Sequence, residues 1–195
     1  MNDNRYEIRL SGSGGQGIIL AALVLAEASG VFDKKEVCQT QSYGPEARGG
    51  KSRADVVISD APIDYPKTRA LDFLLAMNQA ACDAYFQDLK PQGILLVDTH
   101  LVEQLPTDRA VSLPFQEIAI KRMGYEMTAN MVAVGALGVL SQAVRIKSLE
   151  KALARRVPAK SIELNLKALR AGAKAARKID LDILPRTVTP EEEEV

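Results

Sequence analysis

Two hydrophobic rhythms alternate along this chain. Short apolar runs, suited to strands, give way to longer stretches in which apolar residues recur every three or four positions. Tyr6 to Ser11 reads as a first strand and Ile18 to Ser29 as a first helix, stopped at Gly30. Glu36 to Thr40 and Ala54 to Ser59 read as the second and third strands. Asp72 to Met77 is a fourth, almost wholly apolar and so suited to burial on both faces. A helix follows over Gln79 to Lys90, ended by Pro91 and Gly93, and the strands Ile94 to Asp98 and Ala110 to Pro114 complete the set. Helical patterns then dominate, over Phe115 to Met123, Asn130 to Val144, Ser148 to Arg156 and Pro158 to Ile179. Asn130 and Ser148 suit N-caps, and Pro158 suits a first helical turn. This order predicts an α/β fold: a three-layer domain with a mostly parallel sheet, helices on both faces and a helical C-terminal region. Residues 1–186 read as that domain and 187–195 as a solvated acidic tail containing Glu191 to Glu194.

Composition narrows the function classes. The 195 residues are 47% hydrophobic, enough for one sizeable core. A formal net charge of zero argues against a nucleic-acid partner. No apolar run approaches the ~20 residues that span a bilayer. The longest, Met131 to Val144, is interrupted by Gly135, Gly138 and Gln142 and reads as a buried helix. The polar start, Met1 to Arg5, leads straight into a strand rather than into a signal peptide. Cys38 and Cys82 lie far apart and form no Cys-x-x-Cys, so this chain is expected to hold no iron–sulfur cluster. Both thiols read as small core residues of a cytoplasmic protein. His100 is the single histidine, which removes most zinc and Cys–His chemistry.

Gly12-Ser13-Gly14-Gly15-Gln16-Gly17 sits between the first strand and the first helix. Its glycines permit a sharp turn and close approach, and such a loop aims free amides at an anion or a carbonyl. Gly12, Gly14 and Gly17 have the spacing of a dinucleotide fingerprint. Strand two, however, ends Cys38-Gln39-Thr40-Gln41, without the carboxylate that would hold a ribose. The loop also lacks the Gly-Lys-Ser/Thr ending of a P-loop, since Gln16-Gly17-Ile18 stands there, which argues against ATP hydrolysis. A tight turn serving helix–strand packing is the plain alternative.

The stretch from Ser42 to Arg53 is punctuated by Gly44-Pro45 and Gly49-Gly50 and carries Glu46, Arg48, Lys51 and Arg53. In a parallel sheet it leaves the same strand edge as the glycine loop, where open α/β sheets place their sites. Arg48 can offer its fork to a carboxylate or phosphate, or pair with Glu46 to fix the loop. Asp98, at the end of a buried strand, suits the site, an N-cap or a turn.

Together, Gly-x-Gly-Gly-Gln-Gly-Ile, then Gln-Thr-Gln-Ser-Tyr-Gly-Pro-Glu-Ala-Arg-Gly-Gly, then Asn130-Met131 opening a small-residue helix resemble one family. It is the gamma subunit, or gamma domain, of 2-oxoacid:ferredoxin oxidoreductases. The resemblance runs from about Tyr6 to Ile179, and Gln39 to Gly50 is most similar to the 2-oxoglutarate branch. It implies a subunit of an enzyme that decarboxylates 2-oxoglutarate oxidatively with coenzyme A, giving succinyl-CoA, carbon dioxide and reduced ferredoxin. It also implies that thiamine diphosphate and iron–sulfur clusters lie on partner subunits, so this chain is not active alone. The chain lacks a cysteine cluster motif and a thiamine-type Gly-Asp-Gly…Asn segment, which agrees with that division. What remains for it is docking and coenzyme A contact at a subunit interface. Gly12, Gly14, Gly15, Gln16, Gly17 and Arg48 are the candidate residues, and no metal ligand is expected. The same role in a pyruvate or branched-chain oxoacid enzyme, a stand-alone nucleotide-binding protein and a purely structural subunit are the competing readings.

Overall fold

The computed structural model describes residues 5–43 and 51–185. Its strands are β1 (Arg5–Ser13), β2 (Glu36–Tyr43), β3 (Lys51–Ser59), β4 (Leu71–Ala76), β5 (Leu89–Asp98) and β6 (Ala110–Leu113). The helices are α1 (Ile18–Glu27), α2 (Gln79–Tyr85), α3 (Phe115–Met123), α4 (Ala129–Ser141), α5 (Ile146–Arg156) and α6 (Ile162–Ala176). The six strands form one sheet in the order β2-β3-β1-β4-β5-β6. β2 and β3 pair antiparallel, and β3 pairs antiparallel with β1; the remaining pairings are parallel. Only β3 therefore runs against the rest, and the sheet is mostly parallel.

This hairpin changes the layers. A parallel connection from β2 would have supplied a crossover helix. With β3 lying directly between β2 and β1, the described residues place no crossover helix on the side of these strands away from α1. Helices α1, α3, α4, α5 and α6 pack on one face, in a core built on Ile8, Leu10, Val56, Phe73, Leu75 and Leu96. On the opposite face α2 is the one described helix that contributes, packing Ala81 and Cys82 onto Leu74, Leu95 and Val97. Helices do lie on both faces, but very unequally.

Local departures from the sequence pattern have physical causes. Gly30 does not stop α1: the helix continues as a π turn over Ala28–Phe32, with the Asp33 amide donating to the Ala28 carbonyl, and Lys34 (φ 61°) makes the exit. The helix after β4 is shorter than its pattern, because Pro91 and Gly93 belong to β5. A bulge between the Leu71↔Leu89 and Phe73↔Ile94 pairs absorbs them, a place where a ladder tolerates proline. Ser148 is not an N-cap but lies inside α5. The cap is supplied from elsewhere: Asp33 accepts from the Arg145 amide and side chain and from the Ser148 hydroxyl. Burial pushes the Asp33 carboxyl up, and the Ser148 and Arg145 donors together outweigh it, holding the group below the usual aspartate range. Pro158 leads into a short 3-10 turn ahead of α6 rather than into α6 itself. Cys82 is a core residue whose thiol is pushed up to about 11, by burial first and Asp83 second, whereas Cys38 on β2 is only half-buried. Arg48, the Gly44–Gly50 stretch and the acidic tail lie outside the described residues.

Candidate functional site

Strands β1 and β4 are adjacent and parallel, yet the helices that follow them go to opposite faces, α1 to one and α2 to the other. Open α/β sheets form a crevice at the carboxyl ends of such a strand pair. The glycine loop stands at that crevice. A cleft of about 200 Å³ opens there, walled by Gly15, Gln16, Met77, Gln116, Met127 and Asn130, among others.

The loop is held by its own side chains. Gln16 Oε1 accepts from the Ser13 amide at 2.7 Å and from Asn78 Nδ2 at 3.3 Å, and Gln16 Nε2 donates to the Met77 carbonyl at 3.3 Å. Asn78 also caps α2 and donates to Ser13 Oγ at 2.6 Å. The backbone amide of Gln16 closes the turn onto the Ser13 carbonyl. The amides of Gly14 and Gly15 are exposed and have no protein acceptor among the described residues. Those two exposed donors are open to a ligand.

The glycines are not equally constrained. Gly15 (φ 91°) and Gly17 (φ 73°) occupy the left-handed region, costly for any residue with a Cβ. A Cβ on Gly12 would meet Gln16 Oε1 at 2.5 Å, and one on Gly17 would meet Asn130 Nδ2 at 2.2 Å. Gly14 has open space and no positive φ. Gly17→Ala is thus expected to cost about 1–3 kcal/mol and to displace the loop. Gly14→Ala should stay within about 0.5 kcal/mol of the parent. Paired thermal melts check this; equal melting temperatures would remove the structural role assigned to Gly17.

Asn130 is not the N-cap of α4; Thr128 occupies that position. Asn130 lies in the first turn, accepts from the Met131 amide at 2.8 Å, and donates from Nδ2 to the Gly17 carbonyl at 3.3 Å. The glycine loop and the start of the small-residue helix, distant in sequence, meet at this contact. Asp98 serves the turn after β5: fully buried, it accepts from the His100 and Gln116 amides at 2.9 Å each. His100 is exposed, with Nε2 3.0 Å from Glu117. Met77, Asn78, Gln116 and Met127 enter the site unannounced by any sequence motif. The position of Met77-Asn78 just past a buried strand was their only signal.

Among the described residues no group of histidine, cysteine, aspartate and glutamate side chains is arranged to hold a metal ion. None of the described helices is long and apolar enough to cross a membrane. A profile of the family "Pyruvate ferredoxin/flavodoxin oxidoreductase" matches residues 7–175, nearly the whole described chain. The chain belongs to this family. One family relative, the 2-oxoglutarate synthase subunit KorC of Methanocaldococcus jannaschii, is 46% identical over 90% of this chain and 96% of its own length. A solved gamma subunit of a keto/oxoacid ferredoxin oxidoreductase, from Geobacter sulfurreducens, shares 45% identity. It superposes with a TM-score of 0.80, covering 89% of this chain and 99% of that one. The 2-oxoglutarate:ferredoxin oxidoreductase of Magnetococcus marinus, solved with 2-oxoglutarate, coenzyme A and succinyl-CoA bound, is 23% identical with a TM-score of 0.77. It covers 98% of this chain and 34% of that one, and at this identity the likeness establishes the shared fold.

Proposed function

We propose that this chain is the gamma subunit of a cytoplasmic 2-oxoglutarate:ferredoxin oxidoreductase. The observation that carries this reading is the 46% identity with a 2-oxoglutarate synthase subunit over nearly the full length of both chains. The assembled enzyme decarboxylates 2-oxoglutarate with coenzyme A, yielding succinyl-CoA, carbon dioxide and reduced ferredoxin. Thiamine diphosphate supplies the carbanion chemistry and iron–sulfur clusters remove the electrons, both from partner subunits.

The role of this chain in that assembly is docking and coenzyme A contact. The free amides of Gly14 and Gly15 suit a phosphate, in the manner of glycine loops that precede a helix. Gln16 acts as the brace that holds the loop open, while Gly12 and Gly17 permit its close approach to Met77 and Asn130. The adjoining cleft, with Met77, Leu101 and Met127 in its wall, suits an uncharged arm better than a second phosphate, because Glu126 also faces it. Arg48 adds a guanidinium for the remaining charge.

The test uses the assembled complex. Arg48→Ala is expected to raise the apparent KM for coenzyme A about tenfold, the loss of one charge-assisted contact, with the KM for 2-oxoglutarate unchanged. Unchanged KM values together with unchanged co-purification of the partner subunits would remove both roles from Arg48. Turnover of pyruvate or a branched-chain oxoacid in preference to 2-oxoglutarate would overturn the substrate assignment.

A further inference from the structure

The missing crossover helix leaves the β2-β3-β1 part of the sheet with a polar face. Alternation along β1 sends Ile8 and Leu10 into the main core and Glu7, Arg9 and Ser11 to the other side, all of them buried. The segment after β3 folds back over this face. Arg5 donates to the Tyr65 and Lys67 carbonyls at 2.7 Å each, and Glu7 accepts from the Arg69 and Ala70 amides. A cleft of about 320 Å³ remains beneath it, lined by Arg9, Ser42, Arg53, Asp55, Lys67 and Thr68, among others.

The floor of this cleft is already satisfied by its own hydrogen bonds and ion pairs. Arg9 grips Asp55 with Nε at 2.7 Å and Nη2 at 3.0 Å, reaches Thr68 Oγ1 at 3.1 Å with Nη2, and pairs with Asp88 through Nη1. The Thr68 hydroxyl in turn donates to Asp55 Oδ2 at 2.8 Å. The walls are different. Arg5, Arg9 and Lys90 each have a carboxylate partner, Glu7, Asp55 with Asp88, and Asp72 respectively. Arg53 and Lys67 line the cleft with no carboxylate among the described residues. Arg53 is instead held in place by stacking over the Tyr85 ring, 5.5 Å from its centroid, beside Arg9 at 5.0 Å on the same ring.

We propose that this cleft is a binding site for a small dianion, a phosphate ester or a short dicarboxylate, with Arg53 and Lys67 as its charged ligands. The two cations would give a planar fork and a mobile point charge, the pairing suited to an oxoanion. The hydroxyls of Ser42 and Thr40 supply further donors at the rim. The volume equals that of about ten liquid waters, far more than a halide needs and sufficient for a compact metabolite. The site lies on the opposite face of the sheet from the main helical layer and shares no lining residue with the cleft at the glycine loop.

Calorimetric titration of the full-length chain at fixed ionic strength tests this, with inorganic phosphate in one arm and succinate in the other. Saturable binding at one ion per chain is expected in at least one arm, and the tighter arm identifies the source of the anion. Arg53→Gln and Lys67→Gln are each expected to weaken that binding at least tenfold, while the exposed control Lys121→Gln binds as the parent does. Lys67 is exposed, so its variant carries the test should Arg53→Gln fail to fold. Absence of saturable binding in both arms, or full affinity in Lys67→Gln, overturns the proposal.

Discussion

Alanine at position 172 is expected to lower stability by about 3 kcal/mol, although alanine is the better helix former by about 1 kcal/mol. A Cβ on Gly172 would lie 1.8 Å from the Val132 carbonyl oxygen. The reciprocal contact exists at Gly135, whose Cβ would lie 1.9 Å from the Leu169 carbonyl oxygen. Both obstacles are backbone, so no rotamer change relieves them and α4 must move away from α6. That movement would loosen Val132, Leu169 and the core around them, all fully buried. Gly30 is the control: a Cβ there meets nothing closer than 3.5 Å and its φ is not left-handed, so alanine should be neutral or stabilising by up to about 1 kcal/mol. Urea unfolding of the two variants measures both effects. A Gly172→Ala protein as stable as the parent would show that the crossing of α4 and α6 is not set by its glycines.

Removing the Arg9 guanidinium should have an effect of similar size. Arg9→Met is expected to cost about 3–5 kcal/mol, since it strands the Asp55 carboxylate in the interior. Asp55 is 7% exposed and Arg9 4%. Burial alone would lower the Arg9 pKa; the hydrogen bonds and charges of Asp55 and Asp88 outweigh it, so the group stays charged. Adding Asp55→Leu to Arg9→Met should recover more than half of the loss, because an apolar pair needs no counter-charge. Denaturant midpoints for the parent, the single variants and the double variant close the cycle. A single Arg9→Met variant losing under about 1 kcal/mol would mean that water reaches Asp55 freely.

Much of the fold was legible because burial imposes short periods on a sequence. The strands Ala54 to Ser59 and Ile94 to Asp98 and the helix Phe115 to Met123 follow directly from their apolar patterns. Several departures share one cause, a long-range partner replacing a local signal. Ser148 has the chemistry of an N-cap, but Asp33, remote in sequence, performs the capping. Asn130 likewise suits a cap and instead reaches across to Gly17. Gly30 has the chemistry of a helix stop, yet the chain continues to Phe32, whose ring packs on the core and under Lys151 and Arg155.

The sequence by itself determined the class of the protein. Its apolar periods specify strands and helices of an α/β domain, its glycine loop sits at a strand-to-helix turn, and its two cysteines and single histidine offer few ligands for a cluster or a metal. Only the tertiary structure decided which groups are free to act. Side direction and pairing partner depend on what lies opposite, which no local window contains. The antiparallel placement of β3 withheld a helix from one face and left Arg53 and Lys67 around a polar cleft there. The same three-dimensional accounting tied Gln16 into its own turn and left the exposed amides of Gly14 and Gly15 open.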